Sequence, residues 1–358
     1  MSATEGAACP VPLLHHEQII LGHGSGGRLT NELIERLFQP LLASGDTDDP
    51  LIEADDAAVL SCRQLLEGSD ELAISTDSHV VHPLFFPGGD IGRLAICGTV
   101  NDVAMVGAQP LWITVGFILE EGLPTRQLER IVRSMHSAAE QAGVRIVAGD
   151  TKVAERGKVD GVYITTTGVG SIPAGRCARA ANIQPGDKVL VSGTLGDHGI
   201  AVLAARGELA FETTVISDTA PLNGMVEAMF DCGADIHALR DLTRGGLAAA
   251  LNELAGKSGV AIVLEEEAIP VRPAVAAASE MLGFDPLHIA NEGKLVAFVP
   301  EVEADTVLSA MRAHQYGCDA QCIGQVAATP AGRVLMRTSI GGIRIIDTPA
   351  GELLPRIC

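Results

Sequence analysis

Aspartates that border predicted strands are the residues of this chain that first suggest chemistry. They are Asp55 or Asp56, Asp77, Asp102 and Asp150. Carboxylates that lie close together repel one another unless a cation joins them. Mg²⁺ is the natural choice because it is usually shared between a few protein carboxylates and substrate phosphates. The set therefore indicates a nucleotide bound as its magnesium complex, although separate surface aspartates at strand ends would give the same pattern.

Lys152 and Glu292 could act on a reacting group next to these carboxylates. Lys152 follows Asp150 in what is predicted to be the same loop, where a compact cation could reach a transferring phosphoryl group. Glu292 lies in the turn Asn-Glu-Gly-Lys at 291–294, before an apolar strand, and could supply another carboxylate. A solvated loop lysine and an ordinary turn are the alternative interpretations.

Gly26 and Gly27 belong to the glycine-rich segment His-Gly-Ser-Gly-Gly-Arg at 23–28, which precedes a predicted amphipathic helix at 29–43. Backbone amides in such a turn can approach a phosphate closely. No Gly-Lys-Ser/Thr follows, so the segment is not a Walker A loop. A plain flexible turn is the alternative.

Cys358 places a thiol on the last residue, after a segment without helix period or strand alternation. A thiolate is a good nucleophile, and a tether could carry a covalent group into a pocket and out again. Prenylation is excluded because its motif needs the cysteine four residues from the end. The alternative is that one of the eight cysteines falls at the end by chance.

The composition narrows the class of protein. A length of 358 residues with 47% hydrophobic content favours two packed domains. The net charge of -20, from 45 acidic and 25 basic residues, makes nucleic acid and anionic membranes unlikely partners. No long apolar run and no signal-like start occur, so we expect a cytoplasmic protein that does not bind a membrane.

Hydrophobic patterning predicts two α/β units of similar size. In the first unit, strands are predicted at 57–60, 71–75, 111–119, 144–148 and 161–170, and helices at 29–43, 88–107 and 124–143. A proline- and glycine-rich connection at 172–187 leads to the second unit. There, strands at 188–192, before 240, and at 261–264, 295–299 and 321–326 alternate with helices before 205 and at 221–230 and 247–255.

In this order, the motifs closely resemble the HypE family of hydrogenase maturation proteins. The resemblance runs from about residue 19 to the end and rests on the segments at 23–27, 55–59, 75–78, 83–89, 101–104, 116–124, 149–153, 191–199, 240–246, 291–294 and 355–358. The Arg-Ile-Cys ending separates this family from aminoimidazole ribonucleotide synthetase, selenophosphate synthetase and thiamine-monophosphate kinase, which share the aspartates.

The resemblance implies an α/β (α+β) fold of the aminoimidazole ribonucleotide synthetase type, in which each of two domains is a mixed sheet packed with helices. The implied division is a flexible leader at 1–18, an ATP- and Mg²⁺-binding dimerisation domain at 19–172, a second α/β domain at 173–340 and a mobile tail at 341–358. It also implies an ATP-dependent dehydratase that converts an S-carbamoyl group on its own Cys358 into S-cyanide, the cyanide donor for the iron of [NiFe]-hydrogenase.

The implied partners are a HypF-type carbamoyltransferase that loads Cys358, a HypC–HypD scaffold that receives the cyanide, and a second copy of this chain in a homodimer. The implied catalytic residues are Cys358, Lys152 and Glu292. The implied Mg²⁺ ligands are Asp56, Asp77, Asp102 and Asp150, with Asp55 left open as the alternative to Asp56. The implied ATP contacts also include Gly26, Gly27, Asn101 and Thr151.

Two rival functions remain at this point. One is a related synthetase or kinase that phosphorylates a free small molecule and needs no terminal cysteine. The other is a non-catalytic thiol carrier or metallochaperone, which would consume no ATP.

Overall fold

The structure, a computed structural model, describes residues 17–25, 28–43, 51, 71–207 and 213–348. Several predicted features lie outside the described residues: Gly26, Gly27, Asp55, Asp56, Cys358 and the predicted strand at 57–60. Two α/β layers of mixed sheets and helices make up the described part, so the predicted fold class is confirmed.

The first domain is built on four long strands and one short hairpin. The strands are β1 (Glu71–His79), β2 (Phe85–Phe86), β3 (Gly89–Asp90), β4 (Gln109–Glu120), β5 (Arg145–Ala154) and β6 (Val162–Ile172). The long strands form a sheet in the order β1-β6-β4-β5, in which β4 and β5 are parallel and the other pairs are antiparallel. β1 and β5 are therefore the outer strands of this sheet among the described residues.

Helices cover one face of this sheet. They are α1 (Arg28–Leu33), α2 (Gln39–Leu42), α3 (Ile91–Ala104) and α4 (Thr125–Ala142), and a π-helical turn at Ile34–Phe38 joins α1 to α2. Asp90 begins α3 because its carboxylate accepts the backbone N–H groups of Gly92 and Arg93. Gly143 ends α4 with φ 69°, a left-handed conformation that glycine adopts easily.

The second domain contains a seven-stranded sheet. Its strands are β7 (Lys188–Val191), β8 (Ala238–Asp241), β9 (Ala261–Glu265), β10 (Leu295–Val299), β11 (Gln321–Ala327), β12 (Arg333–Arg337) and β13 (Ile343–Ile346). Their order is β13-β12-β9-β11-β7-β10-β8, with β12 and β9 parallel and the other pairs antiparallel. The helices are α5 (Asp197–Ala205), α6 (Asn223–Asp231), α7 (Gly246–Ser258), α8 (Pro273–Leu282) and α9 (Ala304–Ala313).

Two sequence predictions about chain segments are corrected by these elements. β5 does not end before Asp150, because its backbone pairing with β4 continues through Ala154, so Asp150 and Lys152 are strand residues. β13 lies inside the range predicted as tail, 341–358, and pairs with β12 at the edge of the second sheet. A tail can therefore begin only after Ile346. Within the described residues, no helix has both the length and the apolar character needed to cross a membrane.

Candidate active site

A cleft of about 630 Å³ separates the first domain from the second and gathers acidic side chains. Ser75 and Asp102 line it from the first domain, and Arg240, Asp241 and Lys257 line it from the second. Asp102 belongs to helix α3 and Asp241 to strand β8, and Ser75 belongs to strand β1. The site therefore depends on both domains.

Asp77 and Asp102 lie together at the first-domain side of the cleft. Ser75 Oγ donates a hydrogen bond of 2.7 Å to Asp102 Oδ2. Burial raises the pKa of the Asp102 carboxyl, and the negative charge of Asp77 adds to the rise. Gly98 lets α3 pack closely against β1, because a Cβ at this position would lie 3.7 Å from Asp77 Oδ2 and only 3.0 Å from the His79 ring. The structure thus brings together two of the predicted metal ligands.

Asp241, at the end of β8, is a third carboxylate of this cluster and was not among the predicted site residues. It is buried, and its Oδ2 has no hydrogen-bond partner among the described residues. Burial raises its pKa to about 7, and Asp102 contributes to the rise while Arg240 opposes it. The signal in the sequence is the dense Arg-Asp-Leu-Thr-Arg-Gly-Gly segment at 240–246, in which this aspartate stands next to an arginine and just before a helix.

Glu292 lies in a tightly held turn, the Glu292 turn at 291–294. Only 3% of the residue is exposed, and Oε1 has no hydrogen-bond partner within the described part of the chain. Its backbone N–H donates to Asp218 Oδ1 at 3.0 Å, and the neighbouring Asn291 Oδ1 accepts the backbone N–H of Gly196 at 2.7 Å. Burial raises the pKa of Glu292 well above its usual range, and repulsion from Asp241 and Asp218 adds to this.

Asn101, predicted to contact ATP, bonds to protein backbone in this structure. Its Nδ2 donates to the carbonyl of Ala220 at 3.1 Å and approaches that of Glu292 at 3.5 Å, while its Oδ1 accepts the backbone N–H of Leu222 at 2.7 Å. The residue is 1% exposed. The predicted ATP contact of this side chain stays a prediction, and in the structure both of its polar atoms join α3 to the second domain.

Asp150, Thr151 and Lys152 lie on β5, away from Asp77 and Asp102. In the sheet register, Asp77 pairs with Thr166, which lies opposite Val115 and then Gly149. β1 and β5 are three interstrand spacings apart, roughly 14 Å. Asp150 is the residue after Gly149, so its side chain points to the face of the sheet opposite to that of Asp77.

This geometry corrects the predicted four-aspartate set. Within one chain, a single Mg²⁺ ion cannot contact Asp150 together with Asp77 and Asp102. Lys152 shares the outer face with Asp150, whereas Thr151 points toward the helices, as its register partner Phe117 is buried. Gly24 packs against the backbone of Lys152 and Val153, so the glycine-rich segment also begins at β5.

The donor set in the cleft fits a hard divalent cation. Carboxylate oxygens are the ligands that Mg²⁺ prefers, and the unbonded Oδ2 of buried Asp241 is an acceptor that such a cation would satisfy. In the described ranges, however, no three carboxylate, histidine or cysteine side chains converge closely enough to hold a metal ion. An ion held by Asp77 and Asp102 therefore needs oxygens from substrate phosphates, water or Asp56, which lies outside the described residues.

Replacing Asp241 by asparagine is expected to stabilise the metal-free protein above neutral pH. The folded-state pKa of about 7 exceeds the usual 3.8. Between these two values the unfolded chain releases the proton that the folded protein keeps, so the stability of the wild-type protein falls as pH rises and levels off above the folded-state pKa. We expect a gain on the order of 4 kcal/mol at about pH 8 and less than about 1 kcal/mol at about pH 4. Denaturant unfolding in EDTA at both pH values measures this difference in the free energy of unfolding. Asp319→Asn, at an exposed position, is the control. A gain that does not change with pH would contradict the assignment.

Comparison with known protein families finds matches over most of the chain. Residues 54–172 match the family described as AIR synthase related protein, N-terminal domain, and residues 184–337 match its C-terminal domain. Both matches agree with the two mixed sheets seen here.

Three relatives extend the match to nearly full length. Carbamoyl dehydratase HypE of Rhodobacter capsulatus is 51% identical over 345 residues, which is 96% of this chain and 99% of the relative. A crystal structure of HypE in complex with ATP shares 46% identity with a TM-score of 0.89, covering 95% of this chain and 99% of the other. HypE in a HypE–HypF complex shares 48% identity with a TM-score of 0.76, covering 88% and 99%. With this identity over almost its whole length, the chain belongs to the HypE family of carbamoyl dehydratases.

Proposed function

We propose that this protein is an ATP-dependent carbamoyl dehydratase that converts a carbamoyl group on the thiol of Cys358 into a cyano group for hydrogenase maturation. The observation that carries the proposal is the cleft between the domains, which Asp102 and Asp241 line and where their charges, with that of Asp77, raise the pKa of the buried Glu292. The near full-length identity to carbamoyl dehydratases supports the same activity.

The reaction removes the elements of water from S–C(=O)–NH₂ and leaves S–C≡N. The carbamoyl oxygen is a poor leaving group, and it becomes a good one once it carries the γ-phosphoryl group of ATP. Both N–H bonds must also break, so two protons leave the nitrogen. Phosphoryl transfer needs mainly positioning and charge stabilisation, whereas proton removal needs a base close to the nitrogen.

The residues of the cleft divide these tasks. Asp77 and Asp102 would hold Mg²⁺, with the free oxygen of Asp241 facing the same space. Bound there, the ion would neutralise the phosphate charge of ATP. Glu292 is suited to remove a proton, because its raised pKa makes its carboxylate a stronger base than an ordinary glutamate.

The last strand of the second domain is hydrogen-bonded to a helix that lines the cleft. The carbonyl of Ile346, the last residue of β13, accepts a hydrogen bond of 3.0 Å from Asn252 in α7. Lys257, on the same helix, lines the cleft. Ten residues follow Thr348, between 349 and 358, and an extended chain of that length spans roughly 33 Å. This supports delivery of Cys358 along α7 to Glu292.

A homodimer would unite the two separated groups of predicted residues. The outer face of the first sheet is covered by no described helix, and Ile74 and Ile118 on it are 68% and 42% exposed. Pairing of this face with a second copy would bring β5 of one chain, with Asp150 and Lys152, toward the cleft of its partner. We therefore propose that Lys152 and Asp150 on this outer face, with Gly26 and Gly27, which lie close in sequence to the Gly24 that packs on β5, complete the ATP site across the dimer interface.

We further propose that a HypF-type carbamoyltransferase loads Cys358, as the relative solved with HypF supports. The product cyanide would pass to iron on a HypC–HypD scaffold. The cysteines within the described residues are all free thiols, which supports a reducing, cytoplasmic location.

Intact-mass spectrometry of the tail peptide tests the function directly. After incubation with the loading partner, the peptide is expected to gain one carbamoyl group, and after ATP is added it should lose one water. A loaded peptide that keeps its water while ATP is consumed would favour a kinase of a free small molecule. No consumption of ATP by the loaded protein would favour a simple thiol carrier.

A further inference from the structure

A second cavity, of about 220 Å³, lies beside the Glu292 turn in the second domain. Asp197, the first residue of α5, and Asp218, which precedes α6, line it together with Lys294 and Arg272. The second cavity shares no lining residue with the cleft between the domains, and none of the residues assigned to ATP or Mg²⁺ lines it. Its polar lining therefore has no role in the function proposed so far.

Two buried carboxylates of this cavity each have one oxygen atom without a hydrogen bond. Asp197 is 1% exposed; its Oδ2 accepts a hydrogen bond of 2.5 Å from Thr194, whereas its Oδ1 has no hydrogen-bond partner among the described residues. The Asp218 side chain is 4% exposed; its Oδ1 accepts the backbone N–H of Glu292 at 3.0 Å, and its Oδ2 has no hydrogen-bond partner in the described ranges. A ligand that donates hydrogen bonds in this cavity would satisfy both oxygens.

The ligand that suits these atoms is an organic cation with several N–H donors. Arg272 Nε and Lys294 Nζ already face the two carboxylates, at 3.5 Å and 3.3 Å, so an anion would have to compete for them. Burial raises the pKa of Asp197, and the charge of Asp218 adds to the rise, so a further positive charge would stabilise the ionised pair. A metal ion fits less well, because no three carboxylate, histidine or cysteine side chains converge within the part of the chain that the structure describes.

A guanidinium group meets these requirements. It is planar, keeps its charge at every physiological pH and presents five N–H donors that match carboxylate oxygens. The sequence supplies one such group next to the reacting thiol, because Arg356 is the single basic residue between 349 and 358. We propose that the second cavity binds the guanidinium group of Arg356 and so docks the Arg-Ile-Cys ending for dehydration, an inference that rests on the proposed function.

Docking at this point would bring the thiol to Glu292. The backbone of Glu292 is hydrogen-bonded to Asp218 at 3.0 Å, so the second cavity adjoins the turn that carries the proposed base. Cys358 follows Arg356 by two residues, which span roughly 7 Å when extended. Arg356 is thus a positioning residue, which does not touch the reacting atoms but keeps the carbamoyl group close to Glu292.

The described end of the chain lies near enough for this contact. Strands β13 and β7 are four interstrand spacings apart, roughly 19 Å. The sheet register places Arg344 level with Val189. Thr194 lies five residues beyond Val189 and Ile346 two residues beyond Arg344 in the opposite direction, which adds at most roughly 23 Å along the strands. The resulting distance of about 30 Å is within the roughly 33 Å that ten extended residues from Ile346 to Arg356 span.

Arg356→Gln tests the docking through the rate of the reaction. In the carbamoyl-loaded protein, we expect the single-turnover rate of water loss to fall about 10- to 100-fold, since two charge-assisted hydrogen bonds are lost. ATP affinity, measured by calorimetry, should not change. Arg356→Lys keeps the charge without the planar fork, so its rate is expected to lie between those of Arg356→Gln and the wild-type protein.

Asp197→Asn and Asp218→Asn identify the partner of this arginine. Each should slow water loss to a similar extent, and the amide oxygen of Asp218→Asn can still accept the Glu292 N–H. In the Arg356→Gln background, however, each should change the rate by less than about threefold, because an interaction that is already absent cannot be lost again. Two separate aspartate variants keep the test valid if one of them does not fold.

Alkylation of Cys358 measures docking without the reaction. The unloaded protein is treated with iodoacetamide in the absence of ATP, and mass spectrometry follows the peptide that contains Cys358. Docking shields the thiol, so Arg356→Gln and Asp197→Asn should each label about threefold faster or more. Loss of a neighbouring positive charge by itself would slow the labelling, because it raises the thiol pKa. Glu352→Gln, which removes a charge from the tail outside the Arg-Ile-Cys ending, is the control and should act like the wild-type protein in both assays.

A wild-type rate of water loss in Arg356→Gln would overturn the docking site. So would fully additive losses in the double variants, or labelling of Cys358 that none of the variants accelerates. Failure of the proposed function would look different, because the wild-type protein would then lose no water while the differences in labelling would remain.

Discussion

Replacement of Cys358 by serine is expected to abolish cyano-group formation completely while leaving ATP binding intact. A serine hydroxyl is far less nucleophilic than a thiolate at neutral pH and would not accept the carbamoyl group at a useful rate. The carboxylates of the cleft belong to β1, α3 and β8 and do not depend on the tail. Intact-mass spectrometry after incubation with the loading partner and ATP measures the first effect, and calorimetry measures the second.

Cys318→Ser is the control for this experiment, because Cys318 is a free and exposed cysteine elsewhere on the surface. It should be loaded and dehydrated like the wild-type protein. If Cys358→Ser still lost water from a carbamoyl adduct, another thiol would be the carrier. If it still turned over ATP on a free small molecule, the protein would be a kinase of the wider superfamily.

Lys152→Ala and Glu292→Gln are each expected to lower the dehydration rate by about 100-fold or more, and together they test the shared site. Within one chain, Lys152 lies on strand β5 at the edge of the first sheet, whereas Glu292 lies in a turn of the second domain. If Lys152 acts across a dimer interface, a mixed dimer of the two variants contains one intact site. Equal mixing after dissociation and reassociation should therefore restore about a quarter of the wild-type activity.

Lys158→Ala serves as the control for charge, since Lys158 is exposed in the loop that follows β5. It should act like the wild-type protein, alone and in mixtures. A mixture of Lys152→Ala and Glu292→Gln that stays inactive, although sedimentation shows mixed dimers, would contradict the shared site. An unchanged rate in Lys152→Ala alone would indicate that Lys152 is only a solvated surface residue.

The elements that could be predicted from sequence are those with a strong local signal. β6 is rich in β-branched residues, and α4 has proline before its first residue and glycine after its last. α8 was missed because alanines give its sequence little amphipathic contrast. β13 was taken as tail because it has only four residues and its pairing partner β12 was not predicted either.

The site was predictable in residue type but not in placement. The sequence identifies Asp77, Asp102 and Glu292 as candidates, and the structure brings them together with Asp241. The sequence alone cannot reveal that Asp150 faces the other side of the sheet, because the position of β5 depends on its pairing with β4 and not on a local pattern. Asn101 illustrates the same limit, since its bonding partners lie 119 to 191 residues further along the chain.

The hydrogen bonds of Asn101 restrict how this enzyme can move during catalysis. Opening a hinge between α3 and the second domain would break the hydrogen bonds between the buried Asn101 amide and its backbone partners. Each buried group left without a partner costs about 1–3 kcal/mol. If the two domains keep this fixed arrangement, the part that moves is the substrate, which is attached to the end of the polypeptide. Turnover would then be paced by how often the chain's own end enters and departs, and lengthening or stiffening that end would change the rate without altering a single residue of the cleft.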